Sequence, residues 1–455
     1  MHVSTTPAVA PAVGDLRSRL TGDAYTPSDE AYGVERLAWN LTADQNPPLI
    51  AVVETAQDVV EVVNYARANG LRVAPQGTGH GAAALESLES TILLKTTRMR
   101  GVTIDVEGRS ARAEAGTIWT DVTEPAAEHG LVALHGSSPN VGVVGYTLGG
   151  GMGWLARSHG LQTNSLTAVE LVTAEGEFVR TDADHDPGLF WALRGGGGNF
   201  GIVTALEFRL YEITEIYAGF MIWDWSEAGR VLPVYAKWAA DAPDHVTTSF
   251  RIMQLPPLPE IPEPIRGRSI VIVDGAVQGD PAVLEPLRAL QPEIDTFATM
   301  PAPALVRLHQ DPEEPMPYVG DTALIDELPE AAIEALLQMA GPKSGSPLAI
   351  VELRQLGGAL ARRASGHGAV GGIDAQYVLF MCGMALDADM AAFMKHHAER
   401  IKAALEPWSG RGAYLNFAED KVDPSLTHGP VTWERLKAVK ARLDPDNLIH
   451  ANHAI

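Results

Sequence analysis

The chain has 455 residues, two to three times the size of a typical single domain, which predicts two packed domains with room for a buried cofactor. Hydrophobic residues at 46% and charged residues at 20% exclude a disordered or fibrous protein. With 34 basic against 57 acidic residues the net charge is −23, a surface that repels phosphate backbones and anionic lipid heads, so neither nucleic acid nor membrane is an expected partner.

The single cysteine, Cys382, rules out an internal disulfide framework and a thiolate-rich metal site. The start, Met1 to Leu16, lacks a basic segment followed by an apolar core, so no secretory signal is read there. No stretch reaches the roughly 18 apolar residues of a membrane span. A cytoplasmic protein, monomeric or a small homo-oligomer, is the expectation.

From Leu49 the chain alternates strand-like and helix-like stretches: LIAVVE, AQDVVEVVNYARANG and LRVAPQGTG. Val59, Val62, Val63 and Ala66 recur at helical spacing, and Gly70 is placed to end that helix. TILLKT, GVTIDV and SARAEAG read as strands, with a helix near Trp119 to His129. Beyond Tyr211 the texture changes to strands such as AGFMIWDW, TTSFRIMQL, SIVIVDGAVQG, LAIVELRQLG and AQYVLFMCGMAL. Helices such as PAVLEPLRAL and PEAAIEALLQMA separate them. This pattern predicts an antiparallel sheet covered on one face by helices, an α+β arrangement. The boundary is expected near residue 213: residues 1–213 form the first domain and 214–413 the second. Residues 414–455 return to the first domain, because WERLKAVKARLDPDNL reads as a helix closed by an Asp-Pro turn. The proline-rich LPPLPEIPEPI is read as a surface excursion.

Three segments are dense in glycine: PQGTGHG from Pro75, GSSPNVGVVGYTLGGGMG from Gly136, and RGGGGNFGIVT from Arg194. Repeated glycine implies positive φ angles or close approach of backbone to a ligand, and runs of amides in such loops form concavities for phosphate. Gly196, Gly198 and Gly201 fit the GxGxxG spacing of a nicotinamide-binding turn, but a helical pattern, LFWAL, precedes them and a strand pattern follows, the reverse of what that fingerprint needs. Each segment alone could be a tight turn. Three in one domain point to a bound dinucleotide.

These segments, with YLNF at Tyr414 to Phe417 and the final RLKAVKARLDPDNLIHANHAI, resemble the vanillyl-alcohol oxidase superfamily of flavoproteins, and within it the berberine-bridge-enzyme-like branch and its bacterial relatives. The resemblance runs from Trp39 to Ile455 with the order of five motifs kept, and is weakest between about 215 and 340. It implies an FAD-binding domain built from both ends of the chain, and a substrate domain whose sheet roofs the flavin ring.

The resemblance also implies site residues. Gln76, Gly77, Thr78 and Gly79 would hold the pyrophosphate, and His80, followed by Gly81, would carry the flavin covalently through its 8α position. Ser138, Val141, Gly142, Gly145, Gly149, Gly150, Ile202, Asn416 and Asn452 would complete the FAD site. Many relatives make a second flavin bond through a cysteine where this chain has Ser138, so one attachment is expected. Met152 stands where some relatives have a catalytic tyrosine. The residue three after the cysteine position gates oxygen in the family; here it is Val141, the smaller of the usual residues.

The expected reaction is hydride transfer from a CH–OH or CH–NH group of a small molecule, with O₂ as the electron acceptor. The alternatives are a dehydrogenase using another acceptor, or a flavin-carrying binding protein without turnover. Proton handling is expected from Tyr414 foremost, then Glu352, with Asn416, Gln355 and Tyr377 beside them, all assigned to strands facing the flavin. Arg354 could lower the Tyr414 pKa or simply pair with Glu352, and Cys382 is read as a small buried hydrophobe.

Overall fold

The computed structural model describes residues 13–455. Leu49–Val52, Thr91–Lys95 and Arg72–Gln76 form a parallel core extended by antiparallel Asp23–Tyr25. The middle two strands are buried at every residue, as parallel strands covered on both faces require. The helix Ala56–Asn69 lies against them, and Val59, Val62, Val63 and Ala66 are fully buried. Thr55 and Asp58 close its start as a reciprocal capping box, and Gly70 ends it at φ +64°.

A second sheet of five antiparallel strands runs in the order Val102–Asp105, Ser110–Glu114, Ile202–Arg209, Leu166–Val172, Phe178–Asp182. Trp119, Phe208 and Leu206 pack beneath it with the helices Trp119–Ala127, Val143–Leu148 and Pro187–Leu193. The short helix Val143–Leu148 lies inside a segment whose glycine content reads as loop.

The third sheet has eight antiparallel strands. Glu215–Asp224, Ser269–Val277, Val246–Gln254, Ile350–Gln355, Tyr377–Met384 and Tyr318–Ile325 follow one another, with Ile294–Asp295 and Ala298–Pro301 beside the first. The helices Ala228–Asp241, Glu330–Ala340 and Ala388–Leu405 cover one face over Trp223, Phe250, Leu353 and Leu379. Strand alternation turns Ser249, Arg251, Asp274, Glu352 and Arg354 to the other face. PAVLEPLRAL is not one helix. It breaks into a 3₁₀ turn, Pro281–Leu284, and a single turn, Glu285–Arg288, where Pro286 lacks an N–H.

The chain's end goes back to the first two sheets. The helix Pro424–Leu443, kinked at Gly429 (φ +69°), buries Leu436 and packs Val439 into the Trp119 core. Val73 then exchanges backbone hydrogen bonds of 2.8 Å with Leu448 and His450. No helix among the described residues is long and apolar enough to cross a membrane, and these residues contain no metal-ligating cluster.

Candidate functional site

One elongated cavity runs between the first two sheets and the returning C-terminal segment. The loop after strand Arg72–Gln76 supplies one wall, the helix Val143–Leu148 and its flanks a second, and Gly196–Gly198 a third. The three glycine-dense segments therefore converge, as a dinucleotide site demands. Of the expected cofactor residues, Gln76, Gly77, Thr78, Gly79, His80, Gly81, Val141, Gly142, Gly145, Gly149, Asn416 and Asn452 line it.

Three do not. Ile202 is fully buried in the core beneath the parallel sheet, and its strand neighbours Gly201 and Val203 reach the cavity instead, because successive residues alternate faces. Gly150, at φ +130°, packs against the Tyr414 ring. The Ser138 hydroxyl donates to the Asp311 carboxylate.

The lining carries polar atoms that find no partner among the described residues. Gln76 Nε2, His80 Nε2, Asn416 Oδ1, His450 Nε2, His453 Nδ1 and both ring nitrogens of His428 are buried and unsatisfied. Burying such atoms costs free energy unless something bonds to them, so their convergence on one cavity fits a polar ligand. At Gly149 any side chain would collide with the Asn416 carboxamide, whose Nδ2 donates to the Tyr146 carbonyl at 2.8 Å. The backbone amides, the open glycine faces and these free polar atoms fit the diphosphate and ring edges of FAD.

His80 is part of the lining of this cavity. Its ring stacks on Trp39, with centroids 4.2 Å apart and planes inclined by 20°. Burial pushes the imidazole pKa down to about 4, so the ring is neutral and nucleophilic at ordinary pH.

The expected proton-handling residues separate into three groups. Glu352 faces the cofactor-binding domain but is locked: its carboxylate accepts from Arg354 Nε at 2.7 Å and lies 3.4 Å from His309 Nε2. Burial alone would raise its pKa, yet Arg354 and His309 overcome this and hold it well below the usual carboxylate range. Gln355 and Tyr377, expected on the flavin side, face the helices instead. Gln355 bonds Thr248 and the Ala239 carbonyl, and Tyr377 packs with Tyr235 in the helix-covered core. The reason is parity: Gln355 is three residues from Glu352, and Tyr377 is its cross-strand neighbour.

Tyr414 and Asn416 do not share a strand either. Tyr414 precedes a 3₁₀ turn, Leu415–Phe417, and of residues 414–417 only Leu415 and Asn416 line the cavity. The Tyr414 ring sits behind Gly150 with its hydroxyl buried and unpartnered. Burial raises its pKa, and the Arg354 guanidinium and the backbone of Met152 and Gly151 partly offset that. Cys382 faces the same side as Phe380, its thiol pushed up by burial and by nearby carboxylates, which makes it inert.

Sequence reasoning missed a buried charged cluster. Arg251 and His309 both bind Asp274, at 2.5 and 2.8 Å, and His309 joins them to Glu352 and Arg354. Burial and Arg251 lower the His309 pKa, but Asp311, Asp274 and Glu352 outweigh them and raise it to about 9. Glu419 was also missed. Its carboxyl accepts from the Tyr318 hydroxyl at 2.5 Å, and burial pushes its pKa up to about 7. The partners in both groups lie on different strands and loops, and no local pattern announces them.

Residues 47–182 match the family model for an FAD binding domain. (R)-6-hydroxynicotine oxidase of Paenarthrobacter nicotinovorans is 37% identical over 205 residues, 45% of each chain. Glucooligosaccharide oxidase of Sarocladium strictum is 31% identical over 216 residues, 46% of this chain and 43% of that one. In the first of these alignments the chain spans about half the length of the curated relatives it matches. The FAD-linked oxidoreductase YvdP of Bacillus subtilis aligns over 96% of this chain and 98% of its own at 25% identity. The crystal structure of 6-hydroxy-D-nicotine oxidase from Arthrobacter nicotinovorans superposes with a TM-score of 0.80 at 27% identity, covering 94% of this chain and 96% of that one. A berberine-bridge-enzyme-like protein of Physcomitrella patens shares the fold, with a TM-score of 0.84 at 19% identity over 96% and 97% of the two chains. With its dinucleotide cavity and these relatives, the chain carries an FAD binding domain, is homologous to 6-hydroxynicotine oxidase, and shares its fold with the berberine-bridge-enzyme-like proteins.

Proposed function

We propose that the protein is an oxidase that carries FAD on His80 by one covalent bond, oxidises a CH–OH or CH–NH group of a small organic substrate, and passes the electrons to O₂. The carbon gives up a hydride and the neighbouring oxygen or nitrogen a proton. Both hydrogens end in hydrogen peroxide. The flavin supplies the electron-accepting chemistry. The chain's own residues hold the ring, orient the substrate and take the proton.

The observation that carries this reading is His80: a half-buried, neutral imidazole in the wall of a glycine-lined cavity, its Nε2 atom buried without a hydrogen-bond partner among the described residues. Single attachment is supported by Ser138, which has no thiolate and is engaged with Asp311. For the proton, Tyr414 is the better candidate. No side chain among the described residues bonds its hydroxyl, and Arg354 and the backbone of Met152 and Gly151 act on its charge, whereas Glu352 is already neutralised by two cations.

The test is denaturation. Flavin should stay with the wild-type polypeptide through acid precipitation and comigrate with it as a fluorescent band on a denaturing gel. His80→Ala should release all of it. Wild-type flavin that washes out refutes the attachment.

A further inference from the structure

We propose that Trp39, backed by Tyr318 and Glu419, is a clamp that fixes the His80 imidazole for its bond to the flavin. This rests on the attachment reading above and assigns a role to residues outside the cavity lining.

Three features build the clamp. First, the segment carrying Trp39 is fastened to the loop carrying His80. Trp39 N donates to the Thr78 carbonyl at 3.0 Å and Asn40 N to the Gly79 carbonyl at 3.5 Å. Gly79, at φ +86°, lets the two come together, since a Cβ there would stand 2.8 Å from the Ala38 methyl. Part of the glycine in this loop therefore serves the approach of residues 38–40 and not a phosphate.

Second, the indole lies flat on the imidazole, which removes one rotation from a side chain mounted next to glycine. Third, the indole is itself held. Tyr318 meets it edge-on at 5.9 Å and 71°. The Tyr318 hydroxyl donates to Glu419 at 2.5 Å and lies 3.4 Å from the His80 carbonyl oxygen, while Asn40 Nδ2 donates to Glu419 at 3.4 Å. Stack, edge contact and hydrogen bonds thus hold the imidazole from one side, Asn140 stands against it from another, and Nε2 is buried without a hydrogen-bond partner among the described residues.

Attachment needs such a device. A bond forms between an imidazole nitrogen and the flavin 8α carbon. The carbon loses one C–H proton, the imidazole loses its N–H proton, and the electron pair passes into the isoalloxazine. The ring is left reduced by two electrons, takes up two protons, and is reoxidised by O₂ with release of hydrogen peroxide. A nucleophile held on the line of attack reacts far faster than one that rotates, and a displacement of about 1 Å can cost on the order of 10²-fold in rate.

The experiment uses protein expressed under riboflavin limitation, given FAD, and followed by in-gel flavin fluorescence against time. Wild type should label fully, and Trp39→Leu should bind FAD without denaturant yet label on the order of 10²-fold more slowly. Trp39→Phe, which keeps an aromatic face, should recover most of the rate. Tyr318→Phe keeps the packing, loses the tie to Glu419, and should label several-fold more slowly. It therefore tests the clamp even where Trp39→Leu fails to fold. Labelling of Trp39→Leu or of Tyr318→Phe at the wild-type rate overturns the clamp. Wild-type protein that never labels overturns the attachment reading and the clamp with it.

Discussion

Replacing Glu352 by Gln removes one carboxylate from a buried cluster of opposite charges and keeps its shape. The side chains of Glu352, Arg354, His309, Arg251 and Asp274 are all at most 6% exposed, so water cannot replace the lost charge. Breaking one partner out of such a set costs roughly 3–5 kcal/mol when the remaining charge has no escape. Here there is one: His309 can release its proton. With a pKa of about 9, neutralising it near pH 7 costs about 3 kcal/mol at roughly 1.4 kcal/mol per unit, and Arg354 stays charged beside the lost carboxylate, so the expected loss stays within that range.

The pH dependence follows from the sign of the shift. The folded pKa of His309 lies above the ordinary imidazole value of 6.5, so its contribution is complete below that value and is lost as pH rises through about 9. Urea midpoints of the holoprotein between about pH 6 and about pH 10 should fall on the alkaline side for wild type. In Glu352→Gln the fall should come earlier, because His309 has lost one of its three anions and its pKa drops. A variant that loses less than about 1 kcal/mol near neutral pH, with the wild-type profile, would refute the claim that these charges are mutually dependent.

Tyr414→Phe should slow anaerobic flavin reduction by about 10²-fold or more with the covalent link intact, and a wild-type rate would remove the phenol from the mechanism. Because burial raises the Tyr414 pKa, the rate of the native enzyme should still be climbing above the ordinary phenol pKa near 10. Val141→Ile adds a methylene to the cavity wall and should slow reoxidation by O₂ in stopped flow. An unchanged rate, or slow reoxidation in wild type, favours a dehydrogenase with another acceptor. Gly149→Ala forces a methyl into the Asn416 carboxamide and should lower the flavin-to-protein ratio of purified protein. A full complement of flavin would show that the loop yields there.

The elements legible in the sequence are those whose cause is local. The helix Ala56–Asn69 is written in the spacing of Val59, Val62, Val63 and Ala66 and closed by Gly70. The sheet under helices is written in alternating apolar strands. Where local rules mislead, a second physical demand competes with them. YLNF has the aromatic content of a strand, but it must deliver Asn416 to the cavity and bury Tyr414 behind Gly150, and a 3₁₀ turn does both. Gln355 and Tyr377 were assignable by parity once the face of Glu352 was fixed, and it is the pairing of Glu352 with Arg354 and His309 that fixes it.

Glycine shows the same division between a legible demand and an illegible object. The excess of glycine in PQGTGHG signals close approach, and the sequence offers a phosphate as the approaching group. At Gly79 the group is the methyl of Ala38, brought there by a segment forty residues upstream. At Gly197 and Gly198 the glycine faces open onto the cavity itself. Composition reports that space is needed, while only the tertiary fold says what fills it. His80 shows it most plainly, because the residues of the proposed clamp, Trp39, Tyr318 and Glu419, come from three distant parts of the chain.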